Sequence, residues 1–293
     1  TSSLVGSEMC IRDRHAGGRM VCHYCGYEER QPKVCPSCGS KYLGGFKAGT
    51  QKIEMLVKQR FPQARVLRMD FDTTRTKDSY EKILQAFASQ EADILIGTQM
   101  IVKGHDFPNV TLVGVLAADM SLHVADYHAA ERTFQLLTQA VGRAGRGQLP
   151  GQAVIQTYDP EHFAIQTAKA QDYESFYQHE IVYRKMMHYP PIWNMLLVHC
   201  MGKNEQITQQ TAQLMADKLQ SAIKRSNRPV LLVGPADATI AKVNDIYRKV
   251  LYMKAADYQT LVALKDALEQ FGKKTNAFSN VTIQFDFNPS SGF

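Results

Sequence analysis

A chain of 293 residues with 44% hydrophobic and 21% charged residues is long enough for two modest domains with their own cores, and too apolar for global disorder. No apolar run reaches the roughly 18 residues of a membrane helix, and no secretory leader is recognisable, so the cytoplasm is the expected compartment. The net charge of +6 favours polyanionic partners without naming one.

Taken in chain order, residues 1–14 stand apart. The stretch SLVGSEMCIRDR, Ser3 to Arg14, resembles a translated sequencing adapter, has no period that continues into the sequence after it, and is set aside together with Cys10. Residues 15–45 form a Cys-, Gly- and Pro-rich segment too small for a core of its own. Its pairs Cys22-His-Tyr-Cys25 and Cys35-Pro-Ser-Cys38 lie nine residues apart, each followed by a glycine. Four thiolates at this spacing, in a chain without export signals, suit a structural tetrahedral zinc better than a disulfide. No carboxylate base or open coordination position accompanies them, so a catalytic metal is not implied.

From residue 46 the pattern alternates. A helix is predicted over 50–61 with Ile53, Leu56 and Val57 on one face, then a strand over 65–69. A second helix follows over 79–90, capped by Ser79 and carrying Ile83, Leu84 and Phe87 inward. The runs ADILIGT (92–98) and TLVGVLAAD (111–119) lack alternation, as strands buried on both faces do. A helix over 127–143 and a strand over 152–157 complete an α/β unit of 46–160, expected to be a doubly wound parallel sheet of RecA-like pattern.

Residues 161–193 read as a helical linker ending at Pro190-Pro191. In 194–293 the strands at 195–201, 230–234, 247–254 and 281–287 and the helices at 205–225 and 257–271 give a βαββαβ, ferredoxin-like order. Cys200 falls in an apolar run and is expected to be an inert core thiol. Lys242, Arg248 and Lys249 would suit a phosphate-facing patch, though the usual explanation of such charges is a solvated strand face.

Two motifs carry chemistry. Gly97-Thr-Gln-Met-Ile-Val-Lys-Gly-His-Asp-Phe-Pro108 leaves the end of a buried strand, where loops of parallel sheets meet ligands. Gln139-Ala-Val-Gly-Arg-Ala-Gly-Arg146 lies thirty residues further on, at the end of a helix. Together they resemble motifs V and VI of superfamily-2 helicases. With the cysteine pairs, GTQKIEMLVKQRFP (49–62), RMDFDTT (68–74), AERTFQLLTQAVGRAGRG (130–147) and YPP (189–191), the chain from about residue 15 onward resembles the PriA family of replication-restart DNA helicases.

That resemblance implies ATP-driven 3′ to 5′ movement on DNA at stalled forks and cooperation with other primosome and replication-restart proteins. It casts Arg143 and Arg146 as the guanidinium groups that stabilise charge on a transferring phosphoryl group, one of them as the arginine finger, with Gln139 near the phosphates. Gly142 and Gly145 would let the backbone approach, Thr98 and Lys103 would face the nucleic-acid backbone, and Gly104 and Asp106 would couple nucleotide to DNA. The sequence departs from the family at His128, where arginine is common, and in having four zinc-region cysteines rather than eight. No G-x-x-x-x-G-K-[ST] or D-E-x-H-type motif is present, so the groups that hold ATP and Mg2+ are expected on a first ATPase lobe outside this sequence, and this chain alone is not expected to hydrolyse ATP. A non-enzymatic zinc-containing DNA-binding or assembly module is the competing reading. The Arg143/Arg146 spacing weighs against it.

Overall fold

In a computed structural model the chain is described over residues 12–15, 19–22, 28–30, 34, 49–74, 78–102, 107–122, 124 and 126–290. Two units emerge from the contacts: residues 1–30, 125–128 and 177–293 in one, and residues 31–124 and 129–176 in the other. Cys25, Cys35 and Cys38 and the side chain of Cys22 lie outside the described residues, as do Lys103, Gly104 and Asp106. Three short strands, β1 (Arg12–His15), β2 (Arg19–Cys22) and β3 (Glu28–Arg30), pair antiparallel in that order, so Arg12–Arg14 of the adapter-like stretch have strand backbone.

The second unit contains α1 (Thr50–Arg60), β4 (Val66–Met69), α2 (Ser79–Ala88), β5 (Ile94–Gly97), β6 (Leu112–Val115), α3 (Ala129–Val141), β7 (Gln152–Ile155) and α4 (Phe163–Ala170). The expected single parallel sheet is instead two parallel two-stranded ladders among the described residues, β4 with β5 and β6 with β7. The apolar run at 111–119 also differs from expectation. Burial alternates along β6, Leu112 is 61% exposed and Leu116 is 55% exposed, so this strand is covered on one face only. Helix packing supplies that cover: α3 and α4 bury Phe134, Leu137, Ala164, Ile165 and Ala168 against Val115 and Ile155, with Phe176 stacked 4.2 Å from Phe134.

Two smaller expectations change. Helix α2 begins at Ser79, and its cap residue is Asp78 in a left-handed conformation (φ 72°), so Ser79 does not cap it. In α1 no residue is fully buried. Ile53 and Val57 face inward as expected, while Leu56 is half exposed.

In the first unit α5 (Tyr173–Met186), which crosses the boundary between units, leads to β8 (Asn194–Gly202), α6 (Glu205–Ser226), β9 (Val230–Val243), β10 (Ile246–Ala255), α7 (Tyr258–Thr275) and β11 (Thr282–Phe287). The strands form one antiparallel sheet in the order β11-β8-β10-β9, the βαββαβ arrangement read from the sequence. Helix starts follow local chemistry: Asn204 accepts from the Ile207 amide, and Asp257 from the amides of Gln259 and Thr260. Both helices end at asparagines in the left-handed region, Asn227 and Asn276.

Alternation along β8 and β10 sends Leu196, Val198, Cys200, Leu251 and Met253 to the face under α6 and α7, where Met215, Leu219, Leu261 and Leu268 meet them. Each such side chain taken from water contributes about 2 kcal/mol. Burial holds the Cys200 thiol up at about 11, which keeps it protonated and inert, as expected. Strand β9 runs nine residues beyond its expected end. Gly234 and Pro235 interrupt its pattern, yet as an edge strand with register shifts it tolerates both. Among the described residues no helix is long and apolar enough to cross a membrane.

Candidate nucleotide-coupling site

The second motif occupies the C-terminal end of α3 and the turn after it. Leu137 and Ala140 point into the core, which leaves Gln139 exposed on the opposite side. Amides of Gly142, Arg143 and Ala144 continue to bond back to Thr138, Ala140 and Val141, so the helix tapers through tight turns. Arg143 is part-buried, and Arg146 is exposed with Nε donating to the Gly142 carbonyl at 2.6 Å.

Glycine is required where this loop closes. Gly145 has φ +74°, and a Cβ there would sit 2.5 Å from the Gly151 amide nitrogen. A Cβ on Gly147 would collide with the Pro108 carbonyl, and the Gly145 amide donates to the Val110 carbonyl at 2.9 Å. Pro108 closes the first motif and Val110 follows it. The fold therefore brings the tail of the first motif against the arginine-bearing turn of the second, although thirty residues separate them in sequence.

The head of the first motif is placed by β5. A Cβ on Gly97 would lie 2.5 Å from the Met69 carbonyl, so β4 and β5 approach closely there, and Thr98 emerges exposed just beyond. Phe107 packs edge-on to Phe87 at 5.0 Å. The middle of this motif is outside the described residues.

Two buried carboxylates at strand ends were not singled out from sequence. Asp119, in a 3-10 turn at Ala118–Ser121, accepts from Thr157 Oγ1 at 2.6 Å and from the amides of Tyr158 and Asp159. Burial alone would raise its pKa, but these bonds outweigh it and the net shift is downward. The same turn is joined to α3 by the Thr133 hydroxyl, which donates to Ser121 Oγ at 2.7 Å. Asp70, at the end of β4, accepts from Thr50 Oγ1 and the Thr73 amide and lies 3.2 Å from Arg68 Nη1; burial opposes ionisation here too, and the bonds again win. Asp119 closes the apolar run 111–119, a sequence signal for a carboxylate fixed near the end of a strand, whereas Asp70 follows a strand that carries Arg68 and gives no such signal.

His128 stays within the first unit, its Nδ1 3.1 Å from Asp126 and its ring 3.7 Å from Tyr127. Two of the three basic residues read from the C-terminal sheet lie beside carboxylates. Lys242 pairs with Asp245 at 2.9 Å and Lys249 with Asp237 at 2.6 Å, which favours the reading as an ordinary strand face. Among the described residues no cluster of His, Cys, Asp or Glu could hold a metal ion.

Two family models match the chain. Residues 44–148 match the helicase conserved C-terminal domain, and residues 185–290 match the primosomal protein N C-terminal domain. The replication restart protein PriA of Bacillus subtilis (strain 168) is 45% identical over 274 residues, which cover 93% of this chain and 34% of that protein. The corresponding protein of Synechocystis is 42% identical over 92% of the chain and 32% of its own length, and that of Haemophilus influenzae is 33% identical over 92% and 36%. The chain thus spans about a third of the length of these relatives. It belongs to the PriA family of replication restart proteins, and what it carries of that family is the C-terminal region.

Proposed function

We propose that this chain supplies the second ATPase lobe and the C-terminal domain of an ATP-dependent 3′ to 5′ DNA helicase that acts in replication restart. The observation that carries the reading is the junction of the two motifs: the Gly145 amide on the Val110 carbonyl, and Gly147 against Pro108. A turn held this way presents Arg143 and Arg146 on a fixed backbone, as charge stabilisation of a transferring phosphoryl group demands. DNA is the proposed substrate and other primosome proteins the proposed partners. ATP and Mg2+ would be held by a first lobe, because the residues that cradle phosphates and bind magnesium are not found in this sequence. The purified chain is therefore expected to show no DNA-stimulated ATP hydrolysis in a phosphate-release assay. Turnover by the chain alone would overturn the two-lobe reading and require a nucleotide site of a different kind.

Zinc is proposed as a structural ligand of Cys22, Cys25, Cys35 and Cys38. Four thiolates in two C-x-x-C pairs match its preference for soft, tetrahedral donors. Metal analysis of the chain purified without chelator is expected to find zinc, and Cys35→Ser is expected to lower the content sharply. Equal zinc in the variant and the parent chain would remove these cysteines as ligands.

A further inference from the structure

Just before α3 the chain makes a short excursion. Residues 31–124 and 129–176 belong to the second unit, yet residues 125–128 belong to the first. Tyr127 holds them there. It is 8% exposed, its ring stacks on Tyr189 at 4.9 Å with 11° between the planes, and its hydroxyl donates to the Pro289 carbonyl. The Arg184 guanidinium lies 5.4 Å from the ring. The grip thus draws on α5, the segment after it and the residues after β11, all within the first unit.

A buried tyrosine with a bonded hydroxyl is ordinarily a core residue and no more. This one differs in its closeness to α3. Only His128 separates it from Ala129, where the helix begins, and His128 is itself fastened. Asp126 Oδ1 accepts the His128 amide at 2.9 Å and lies 3.1 Å from its Nδ1. The joint has no slack residue to absorb a displacement. Helix α3 is thirteen residues long, a stiff rod of about 20 Å. Phe134 and Leu137 fix it along its length, and its far end runs into the turn with Arg143 and Arg146.

We propose that Tyr127 is a positioning residue for that arginine-bearing turn. It ties the start of α3 to the C-terminal domain, which thereby sets the placement of Arg143 and Arg146 against the nucleotide. The proposal rests on the reading of this turn as the source of an arginine finger. Placement matters because a shift of about 1 Å in a reacting geometry costs about 10²-fold in rate.

The test uses a full-length chimera in which this chain replaces the matching region of Bacillus subtilis PriA, 45% identical over 274 residues. Two glycines inserted between His128 and Ala129 leave Tyr127 in its grip and α3 on its core, but give the joint slack. DNA-stimulated ATP hydrolysis is expected to fall about tenfold in kcat, with KM for ATP within about twofold of the parent. The melting temperature should not change. Tyr127→Phe keeps the stacked ring and is expected to retain about half of the parent turnover or more, whereas Tyr127→Ala should lose as much as the insertion. A residue that only filled the core would lower the melting temperature in Tyr127→Ala and leave the insertion chimera fully active. Parent-like kcat in the insertion chimera would therefore overturn the positioning role. Turnover unchanged in Arg143→Ala and Arg146→Ala as well would take down the arginine-finger reading with it. A loss in those two variants beside a fully active insertion chimera would confine the failure to Tyr127.

Discussion

Replacing Arg143 or Arg146 by alanine is expected to lower ATP turnover by about 10³-fold or more for whichever arginine reaches the transferring phosphoryl group. Because this chain is not expected to turn over ATP alone, the measurement belongs in a chimera in which it replaces the matching region of Bacillus subtilis PriA, 45% identical over that span. The size of the effect follows from where the charge acts. In a closed, water-poor cleft a guanidinium meets charge that develops only in the transition state, so its loss appears in kcat and leaves KM for ATP nearly unchanged. The two arginines differ in surroundings: Arg143 is part-buried at the end of α3, while Arg146 is exposed and tied to the Gly142 carbonyl through Nε. Arg146 is the more exposed of the two, and the larger loss is expected there. Arg→Lys at that position should recover little, because a point charge does not reproduce the planar fork. Turnover within about threefold of the parent chimera for both alanine variants would end the arginine-finger assignment, since that is under 1 kcal/mol of transition-state stabilisation.

The second large effect is on stability. Glu180→Ala is expected to cost about 3 kcal/mol or more and to lower the melting temperature of the first unit by roughly 10 °C. Glu180 and Arg184 are 5% and 7% exposed and lie one helical turn apart on α5, with Oε1 to Nε at 2.8 Å. Arg184 also donates to the Pro190 carbonyl and lies 5.4 Å over the ring of Tyr127, itself stacked on Tyr189 and hydrogen-bonded to the Pro289 carbonyl. Removing the carboxylate leaves a guanidinium that is always charged, buried and without its counter-ion, which is why the loss exceeds that of a surface pair. The double variant Glu180→Leu/Arg184→Met should regain most of the stability, because the desolvation of both charges goes with them. Thermal unfolding followed by near-ultraviolet dichroism of the adjoining tyrosines reads the effect. A loss below about 1 kcal/mol in Glu180→Ala would mean that water reaches the pair in solution.

Much of the architecture was legible in the residues. The β-α-β-β-α-β order of 194–293 follows from periods of two and of 3.6, and the sheet order β11-β8-β10-β9 agrees with it. Motif spacing pointed to a helicase-type lobe, and the match of residues 44–148 to the helicase conserved C-terminal domain accords with that. The harder features were those in which one segment depends on a distant one. TLVGVLAAD carries an unbroken apolar pattern, yet Leu112 and Leu116 are exposed, because hydrophobicity records what a residue tolerates and not which neighbour arrives to cover it. Strand β9 was read as ending at 234, since Gly234 and Pro235 mimic a turn wherever no partner strand is known.

By itself, then, the sequence determined the order of helices and strands and the family, both of which reside in local pattern and side-chain type. Only the tertiary structure decided that the motif ends meet at Val110 and Gly145, that Asp70 and Asp119 are pinned ions, and that Lys242 and Lys249 are spent on carboxylates. Each of these is a pairing between groups distant in the chain or across a turn. A hydrogen bond or ion pair depends on ångström-scale placement that no linear pattern encodes.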